Sequence, residues 1–244
     1  MKNIKKFLLI TAMTMALGTS AFAESGFEFL LNLSGGINYT IPTKESEDLQ
    51  MKGGLGGDVG IDAQVGYMFQ VKEGFGISLL AELGYSWDDY NYYTTGGNNT
   101  GGTWREEGLR MNGYYHSFKV GLLPKFNIGV GNGAIALGIG GGVKIPLAGS
   151  LIVGYQYWDE AAQKTIVPDA ININRKDITD LFSPSVIGYL KVTFDYYLFF
   201  TDNIGMNFGF YLGGDFGPKA KETKIGGDAF DFGVQLGFRF GPKA

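Results

Sequence analysis

Bulky apolar residues alternate with small or polar residues in eight separate segments of the chain. The clearest is 230–240, where every even position is bulky and apolar and every odd position is Asp, Gly, Gln or Arg. A period of two predicts a β-strand with two opposite faces. Glycine with occasional charges suits a crowded polar interior, and an aromatic-rich apolar face suits lipid. The pattern is typical of a strand in a transmembrane β-barrel.

Seven other segments repeat this alternation: 27–41, 58–71, 77–88, 114–126, 134–147, 186–198 and 206–216. Each reaches the 9–11 or so residues that cross a bilayer as a tilted strand. The connections alternate between long and short, and the long ones are 42–57, 89–112, 148–184 and 217–228. Because such barrels have short periplasmic turns and long extracellular loops, the termini are expected in the periplasm. The predicted fold is all-β, an eight-stranded antiparallel up-and-down transmembrane barrel.

Aromatic residues mark both ends of the predicted apolar band. Those expected at the extracellular end are Tyr39, Tyr85, Trp87, Tyr114 and Phe216; those expected at the periplasmic end are Tyr67, Phe69, Phe126, Tyr196, Phe238 and Phe240. Two such girdles at the membrane interfaces are expected of a transmembrane barrel.

The first 23 residues have the features of a secretory signal peptide. Lysines at positions 2, 5 and 6 precede an apolar run over 7–18, and the small-residue sequence Ala21-Phe22-Ala23 follows. The run is shorter than the roughly 20 residues of a membrane-spanning helix, so cleavage after Ala23 is predicted. The remaining residues, 24–244, are expected to form one outer-membrane barrel domain.

Composition narrows the functional classes. Removing residues 1–23 leaves 17 basic and 24 acidic residues, a net charge of −7, which makes nucleic acid an improbable partner. Charged residues are 18% of the chain, below the roughly 25% of soluble domains, and 40 of 244 residues are glycine. A soluble lipocalin-like barrel with its apolar face inward is the alternative, but eight strands hold too little interior volume for so many bulky side chains.

The eight alternating strands, the loop rhythm and the aromatic-ended last strand resemble the small outer-membrane barrels of the OmpX, OmpA transmembrane-domain and opacity-protein type. The resemblance covers 24–240 and implies outer-membrane lipid and the barrel-assembly machinery as partners. One departure is that Gly241-Pro242-Lys243-Ala244 follows Phe240, whereas the family usually ends on the terminal aromatic residue that the assembly machinery reads.

The predicted inward face carries charges of both signs, and an eight-stranded lumen is just wide enough for side chains to fill. Because isolated buried charges are costly, a paired network that fixes the barrel is favoured over a solute pathway. The predicted network comprises Glu28, Asp58, Asp62, Glu82, Lys119, Lys125, Lys144, Lys191, Asp195, Asp215, Asp231 and Arg239. Inward glycines on the strand at 134–147 leave room, which the tyrosines at 189, 197 and 211 are expected to fill.

Catalytic residues, a metal site and a cofactor site are not predicted. The chain has no cysteine, and its one histidine, His116, falls on the lipid-facing side of its strand. Ser117, the adjacent residue, points to the opposite face, so a His–Ser pair on one face is not formed. His116 is therefore interpreted as a girdle residue that faces lipid headgroups.

Binding is expected at the long loops. The loop at 89–112 combines Tyr90, Tyr92, Tyr93 and Trp104 with Gly, Asn and Thr, a mixture that suits recognition surfaces. The loop at 148–184 is expected to hold a helical turn at 177–182, and loops of such length are usually functional or disordered. The alternative is that both are solvated surface loops without a ligand.

Two functions remain open at this point. The first is a non-enzymatic outer-membrane surface protein that contributes to envelope integrity, with possible adhesion or host interaction through 89–112 and 148–184. The second is a narrow passive porin-like channel for small solutes, suggested by the inward glycines. No cofactor is implied by either.

Overall fold

The computed structural model describes residues 25–94, 96–100 and 103–243, and at 96–100 and 103–107 it describes the backbone alone. The predicted signal peptide lies outside the described residues and stays a prediction. Thirteen strands and two short helices occur in the described part. The strands are β1 Gly26–Pro42, β2 Met51–Gly53, β3 Leu55–Lys72, β4 Phe75–Thr94, β5 Gly96–Thr100, β6 Thr103–Leu122, β7 Lys125–Val130, β8 Gly133–Asp159, β9 Lys164–Ile166, β10 Ile171–Asn174, β11 Ile187–Phe199, β12 Ile204–Phe216 and β13 Gly227–Phe240. The helices are α1 Lys44–Asp48 and α2 Arg175–Leu181.

Eight antiparallel wall segments of the barrel, here called staves, close into a ring; each stave is one strand, except that β6 and β7 together form one. Their order is β1, β3, β4, β6 with β7, β8, β11, β12 and β13, and a ladder from Phe29↔Phe240 to Pro42↔Gly227 joins β13 back to β1. β6 and β7 form one stave that is interrupted at Pro124, which lacks the N–H needed for the ladder. Closure pairs the edge strands of the sheet. The predicted eight-stranded antiparallel fold is confirmed.

The two faces of the staves are divided as the alternation predicts. Large apolar side chains on the outside are exposed in every stave, for example Leu33 at 62%, Leu79 at 55% and Leu236 at 52%, whereas the charged side chains point inward. Such an exterior needs a lipid environment, because exposing an apolar band of this extent to water would be energetically unfavourable. The barrel is therefore of the transmembrane kind, and the lipocalin-like alternative is wrong. Among the described residues, no helix is long and apolar enough to cross a bilayer.

The connections separate the barrel into two ends. Short connections at 73–74, 131–132 and 200–203 lie at one end, here called the turn end, where β1 begins and β13 ends. Gly74 and Gly131 adopt positive φ angles of 72° and 57°, which a tight hairpin requires and which glycine adopts without strain. The longer connections lie at the opposite end, the loop end.

Two segments that the sequence predicts to be loops are largely strand. β4 and β6 continue past the apolar band and pair as far as Tyr93↔Arg110, and β6 pairs with β8 up to Gly108↔Gln156. The loop bounds of 89–112 and 148–184 are thus wrong. Polar and tyrosine-rich sequence forms strand here because a neighbouring strand supplies the hydrogen bonds, so tertiary context decides the outcome.

Helix α2 closes part of the loop end. Asn174 caps the helix by accepting hydrogen bonds from the backbone N–H groups of Lys176 and Asp177, and the Asp177 carboxylate accepts from the N–H of Asn174. This reciprocal cap satisfies N–H groups that the first turn would leave free. The helix buries Ile178 against the residues that line the loop end of the lumen, which confirms the helical turn predicted at 177–182.

Candidate functional site

The lumen is filled by charged and polar side chains over most of its length. The twelve residues of the predicted charge network all face inward; eleven are buried and Asp58 is partly buried. They do not form one network but four successive groups, which are described here from the turn end to the loop end.

The group at the turn end is centred on Arg239. Its guanidinium forms an ion pair with Glu28 at 2.7 Å and lies 4.4 Å from the ring centroid of Tyr197. It also donates to the backbone carbonyl oxygen of Pro242 at 3.1 Å, so the residues that follow β13 fold across this opening. Apolar side chains, among them Leu30 and Leu80, surround the group.

The second group pairs Lys125 with Asp195 at 2.9 Å. The Lys125 ammonium also donates to the hydroxyl of Tyr197, and Thr193 and Gln235 donate to the Asp195 carboxylate. Both charged side chains are almost fully buried. Three further hydrogen bonds thus compensate part of the desolvation of this ion pair.

The third group is a square of two acids and two bases at the middle of the lumen. Lys119 lies 2.6 Å from Asp62 and 3.4 Å from Glu82, and Lys191 lies 3.0 Å from Glu82 and 3.5 Å from Asp62. Tyr189 donates a further hydrogen bond to Glu82 at 3.0 Å. This group is electrically neutral.

The fourth group, nearest the loop end, is not neutral. Lys144 lies 2.7 Å from Asp88 and 2.6 Å from Asp215, but Asp58 and Asp231 have no basic partner among the described residues. These four carboxyl groups and Lys144 line a cavity of about 40 Å³, which Lys119 and Lys191 of the third group also line. The sequence prediction omitted Asp88 from the network, although its inward parity on the third predicted strand was apparent.

Tyrosines fill the space left by lumenal glycines, but not the glycines that the sequence suggests. A Cβ atom at Gly121 would collide with the Tyr189 hydroxyl, and one at Gly36 or Gly233 would collide with that of Tyr211. The small inward residues of β8 are filled by tyrosine only in part, since Tyr197 packs in one cluster with Ala134 and Ala136. The β8 glycines at 140 and 142 instead lie against backbone carbonyl groups of the adjacent stave.

Above the charged groups, the loop end contains an apolar chamber of about 250 Å³. Its lining includes Tyr90, Tyr92, Tyr115, Phe182 and Ile225. Side chains from β4, β6, β8, α2 and the connection between β12 and β13 meet here. The sequence reasoning missed the chamber, because it ended strand β4 at residue 88. Continuing the same parity would have placed Tyr90 and Tyr92 inside.

The predicted surface-binding residues are divided between two locations. Tyr90 and Tyr92 are buried in the chamber, whereas Tyr93 is exposed on the outside of β4. The side chain of Trp104 lies outside the described residues. Burial raises the pKa of Tyr92 above its ordinary value. The tyrosines of this segment thus form a chamber more than an outer surface.

His116 lies on the outer face, at the end of the apolar band. Its Nδ1 atom and the Tyr85 hydroxyl are 2.6 Å apart, and Ser117 is buried on the opposite face. Trp87 and Tyr114 stack beside this pair with ring centroids 6.0 Å apart. The predicted outward position of His116 is confirmed, and its contact with lipid headgroups stays a prediction. No cluster of three or more metal-ligating side chains occurs in the described part of the chain.

Comparisons with known proteins give similarity at the level of fold. Neisserial surface protein A is 9% identical with a TM-score of 0.39, over 87% of this chain and 96% of that protein. The outer-membrane protease OmpT of Escherichia coli is 8% identical with a TM-score of 0.41, over 88% of this chain and 96% of that protein. The attachment invasion locus protein Ail of Yersinia pestis is 9% identical with a TM-score of 0.30, over 87% of this chain and 98% of that protein. Neither the family models nor the curated protein sequences gave a match. At these identities and TM-scores, no function is carried over from any of them.

Proposed function

We propose that the chain is a non-enzymatic outer-membrane surface barrel whose lumen does not conduct and whose loop end is extracellular. In this proposal a signal peptide directs export, the barrel-assembly machinery inserts the chain, and the closed barrel contributes to envelope integrity. The observation that carries the proposal is the filling of the lumen by four groups of interacting side chains.

The filling supports a closed lumen for a simple physical reason. The ion-paired side chains of the lumen are at most 9% exposed, and the 40 Å³ cavity beside Lys144 has space for only about three waters. Passage of an ion would require several buried ion pairs to separate together, each at a cost of several kcal/mol. In addition, the stacked side chains of Arg239 and Tyr197 obstruct the opening of the lumen at the turn end.

Planar-bilayer conductance tests this part of the proposal. The folded protein, verified by a heat-sensitive shift in gel mobility, is expected to give no discrete current steps. A porin of established conductance in the same bilayer serves as the control for detection of an open lumen. Reproducible steps from the unaltered protein would favour the porin-like channel, and substitution of Lys144 and Glu82 would then be expected to change its ion selectivity.

Adhesion or host interaction through 89–112 and 148–184 is the second part of the proposal. It is supported by the exposed aromatic residues at the loop end, Tyr93, Tyr155 and Tyr157, which are 44%, 60% and 46% exposed. Exposed aromatic side chains are common anchors of binding surfaces.

A shortened variant tests adhesion while it keeps the chamber. Residues 95–107 and 155–167 are replaced by short glycine–serine turns, so that Tyr90, Tyr92 and α2 remain. Cells that display this variant are expected to bind host cells less than cells with the unaltered protein at equal surface amounts. Equal binding would refute the adhesive role and leave the structural role.

A further inference from the structure

The chamber at the loop end has the size and lining of a small-molecule site. A cavity of about 150 Å³ can hold benzene, so the 250 Å³ chamber has room for one aromatic ring with a short chain. Its lining is mainly aromatic and aliphatic and includes no charged side chain. Val153 at its margin is 51% exposed, which indicates an opening toward the solvent.

The carboxyl groups nearest to the chamber outnumber the basic side chains that pair with them. Asp215 accepts a hydrogen bond at 3.0 Å from Tyr90, whose ring lines the chamber, so this tyrosine connects the two sites. Asp231 lies one inward position below Ala229, which packs in the same cluster as Tyr90 and Tyr92. Two residues along a strand span about 7 Å. The acidic group therefore lies directly beneath the chamber floor.

The unsatisfied atoms of this group point to a missing partner. Asp231 is only 6% exposed and makes no hydrogen bond to any described residue. The Oδ1 atoms of Asp58 and Asp215 are also buried without a partner. Buried carboxylates with too few donors favour the approach of a cation.

The chamber lining suits a cation with an apolar body. Tyr90 and Tyr115 have ring centroids 5.8 Å apart in an edge-to-face arrangement, and Tyr115 and Phe182 lie 6.3 Å apart in the same geometry. Several aromatic rings of different orientation around one space can present a negative ring face to a cation. The hydroxyl groups of Tyr92 and Tyr115 make no hydrogen bond to the described residues, so their oxygen atoms are available to accept from an N–H donor.

We propose that the chamber binds a small organic cation, an aryl- or alkylamine with its apolar body among the aromatic rings and its ammonium group toward Asp215 and Asp231. This inference depends on the proposed function only in that the loop end faces the medium. Of the basic residues near the chamber, Lys219 is paired with Asp228 at 2.9 Å, and Lys221 and Lys224 lie in solvent, where their charges are screened. Arg110 donates to the lining residue Asn112 at 2.8 Å and to Gln156 at 3.3 Å.

Three probes of similar size and different charge test the proposal: 2-phenylethylamine, 2-phenylethanol and phenylacetate. Each is titrated calorimetrically into the protein, purified from membranes and placed in lipid nanodiscs, at pH 8.5, above the ordinary carboxyl range and below that of an alkylammonium group. The amine is expected to bind about tenfold more tightly than the alcohol, and phenylacetate more weakly than both. Equal affinity of amine and alcohol, or tighter binding of phenylacetate, would overturn the proposal.

Two substitutions locate the bound amine. Asp231→Asn is expected to raise the Kd of the amine roughly fivefold to tenfold, because it removes one carboxylate that attracts the ammonium group, and to leave the Kd of the alcohol unchanged. Asp202→Asn at the exposed turn end is the matched control, with no change expected. Val153→Trp, which narrows the opening, is expected to weaken both compounds. If Asp231→Asn bound the amine with unchanged affinity, the proposed attraction between the ammonium group and Asp231 would be refuted, and with it the assignment of a cation as the ligand.

These results are independent of the test of the proposed function. A conducting barrel that binds the amine would overturn the closed lumen and leave the site. A silent barrel that binds the alcohol as tightly as the amine would leave the closed lumen and overturn the site.

Discussion

Removal of one member of the Lys125–Asp195 ion pair is expected to destabilise the barrel more than removal of one member of an exposed ion pair. The two side chains are 1% and 0% exposed and 2.9 Å apart. In Lys125→Met, a side chain of similar length but without charge leaves the Asp195 carboxylate in the lumen without its counterion. Thr193 and Gln235 still donate to that carboxylate, which reduces the cost without removing it.

The magnitude follows from the burial of the pair. At an effective dielectric of about 20, two unit charges 2.9 Å apart attract each other by about 6 kcal/mol, and desolvation offsets a large part of this. Removing one partner of a buried pair typically costs about 3–5 kcal/mol, and the two remaining donors to Asp195 place the expected loss at about 3 kcal/mol. The double variant Lys125→Met with Asp195→Asn has no net buried charge. The decrease in the free energy of unfolding of this double variant is expected to be about 2 kcal/mol smaller than the sum of the decreases in the two single variants.

Urea unfolding in lipid vesicles measures these free energies, with tryptophan fluorescence as the signal and linear extrapolation to zero urea. The exposed pair Lys219–Asp228 at the loop end, with side chains 28% and 39% exposed, is the matched control; removal of Lys219 is expected to cost about 0–1 kcal/mol. A loss below about 1 kcal/mol for Lys125→Met, or additive losses in the double variant, would refute the view that buried charge pairing holds the lumen together.

Three further predictions concern packing, orientation and the residues after β13. Gly121→Ala is expected to cost about 1–3 kcal/mol in the same unfolding assay because its Cβ collides with the Tyr189 hydroxyl, and a change below about 0.5 kcal/mol would contradict this packing. Leu236→Arg on the apolar band is expected to cost about 2–4 kcal/mol, whereas Tyr93→Arg beyond the band is expected to cost below about 1 kcal/mol; equal losses would refute the lipid-facing assignment. Deletion of 241–244 removes the carbonyl that Arg239 binds and is expected to cost about 1 kcal/mol while folded protein still forms, as a heat-modifiable gel band would show.

The alternation along the chain was sufficient to predict the staves and their faces. A residue in a strand points inward or outward according to its parity, so the outward position of His116 and the inward position of Glu82 needed no knowledge of the neighbouring strands. The same local rule predicted the girdle residues, such as Trp87 and Tyr114, which stack on the outer face.

Strand ends were less predictable than strands. The residues from Asp89 to Thr94 are polar or aromatic, a composition that is typical of a loop. They form strand because β6 lies beside them and, in turn, β8 lies beside β6. Hydrogen bonds to a neighbouring strand, not the propensity of these residues, extend the staves beyond the apolar band.

By itself, the sequence determined the number of staves, the face that each residue presents and the presence of both charge signs in the lumen, since each depends on a two-residue period. Only the closed ring decided which charges meet. Lys125 and Asp195 are 70 positions apart, and their contact depends on how the staves are staggered around the barrel. The ring also decided that four acids surround Lys144 below an aromatic chamber, because β3, β4, β8, β12 and β13 supply these residues from separate parts of the chain.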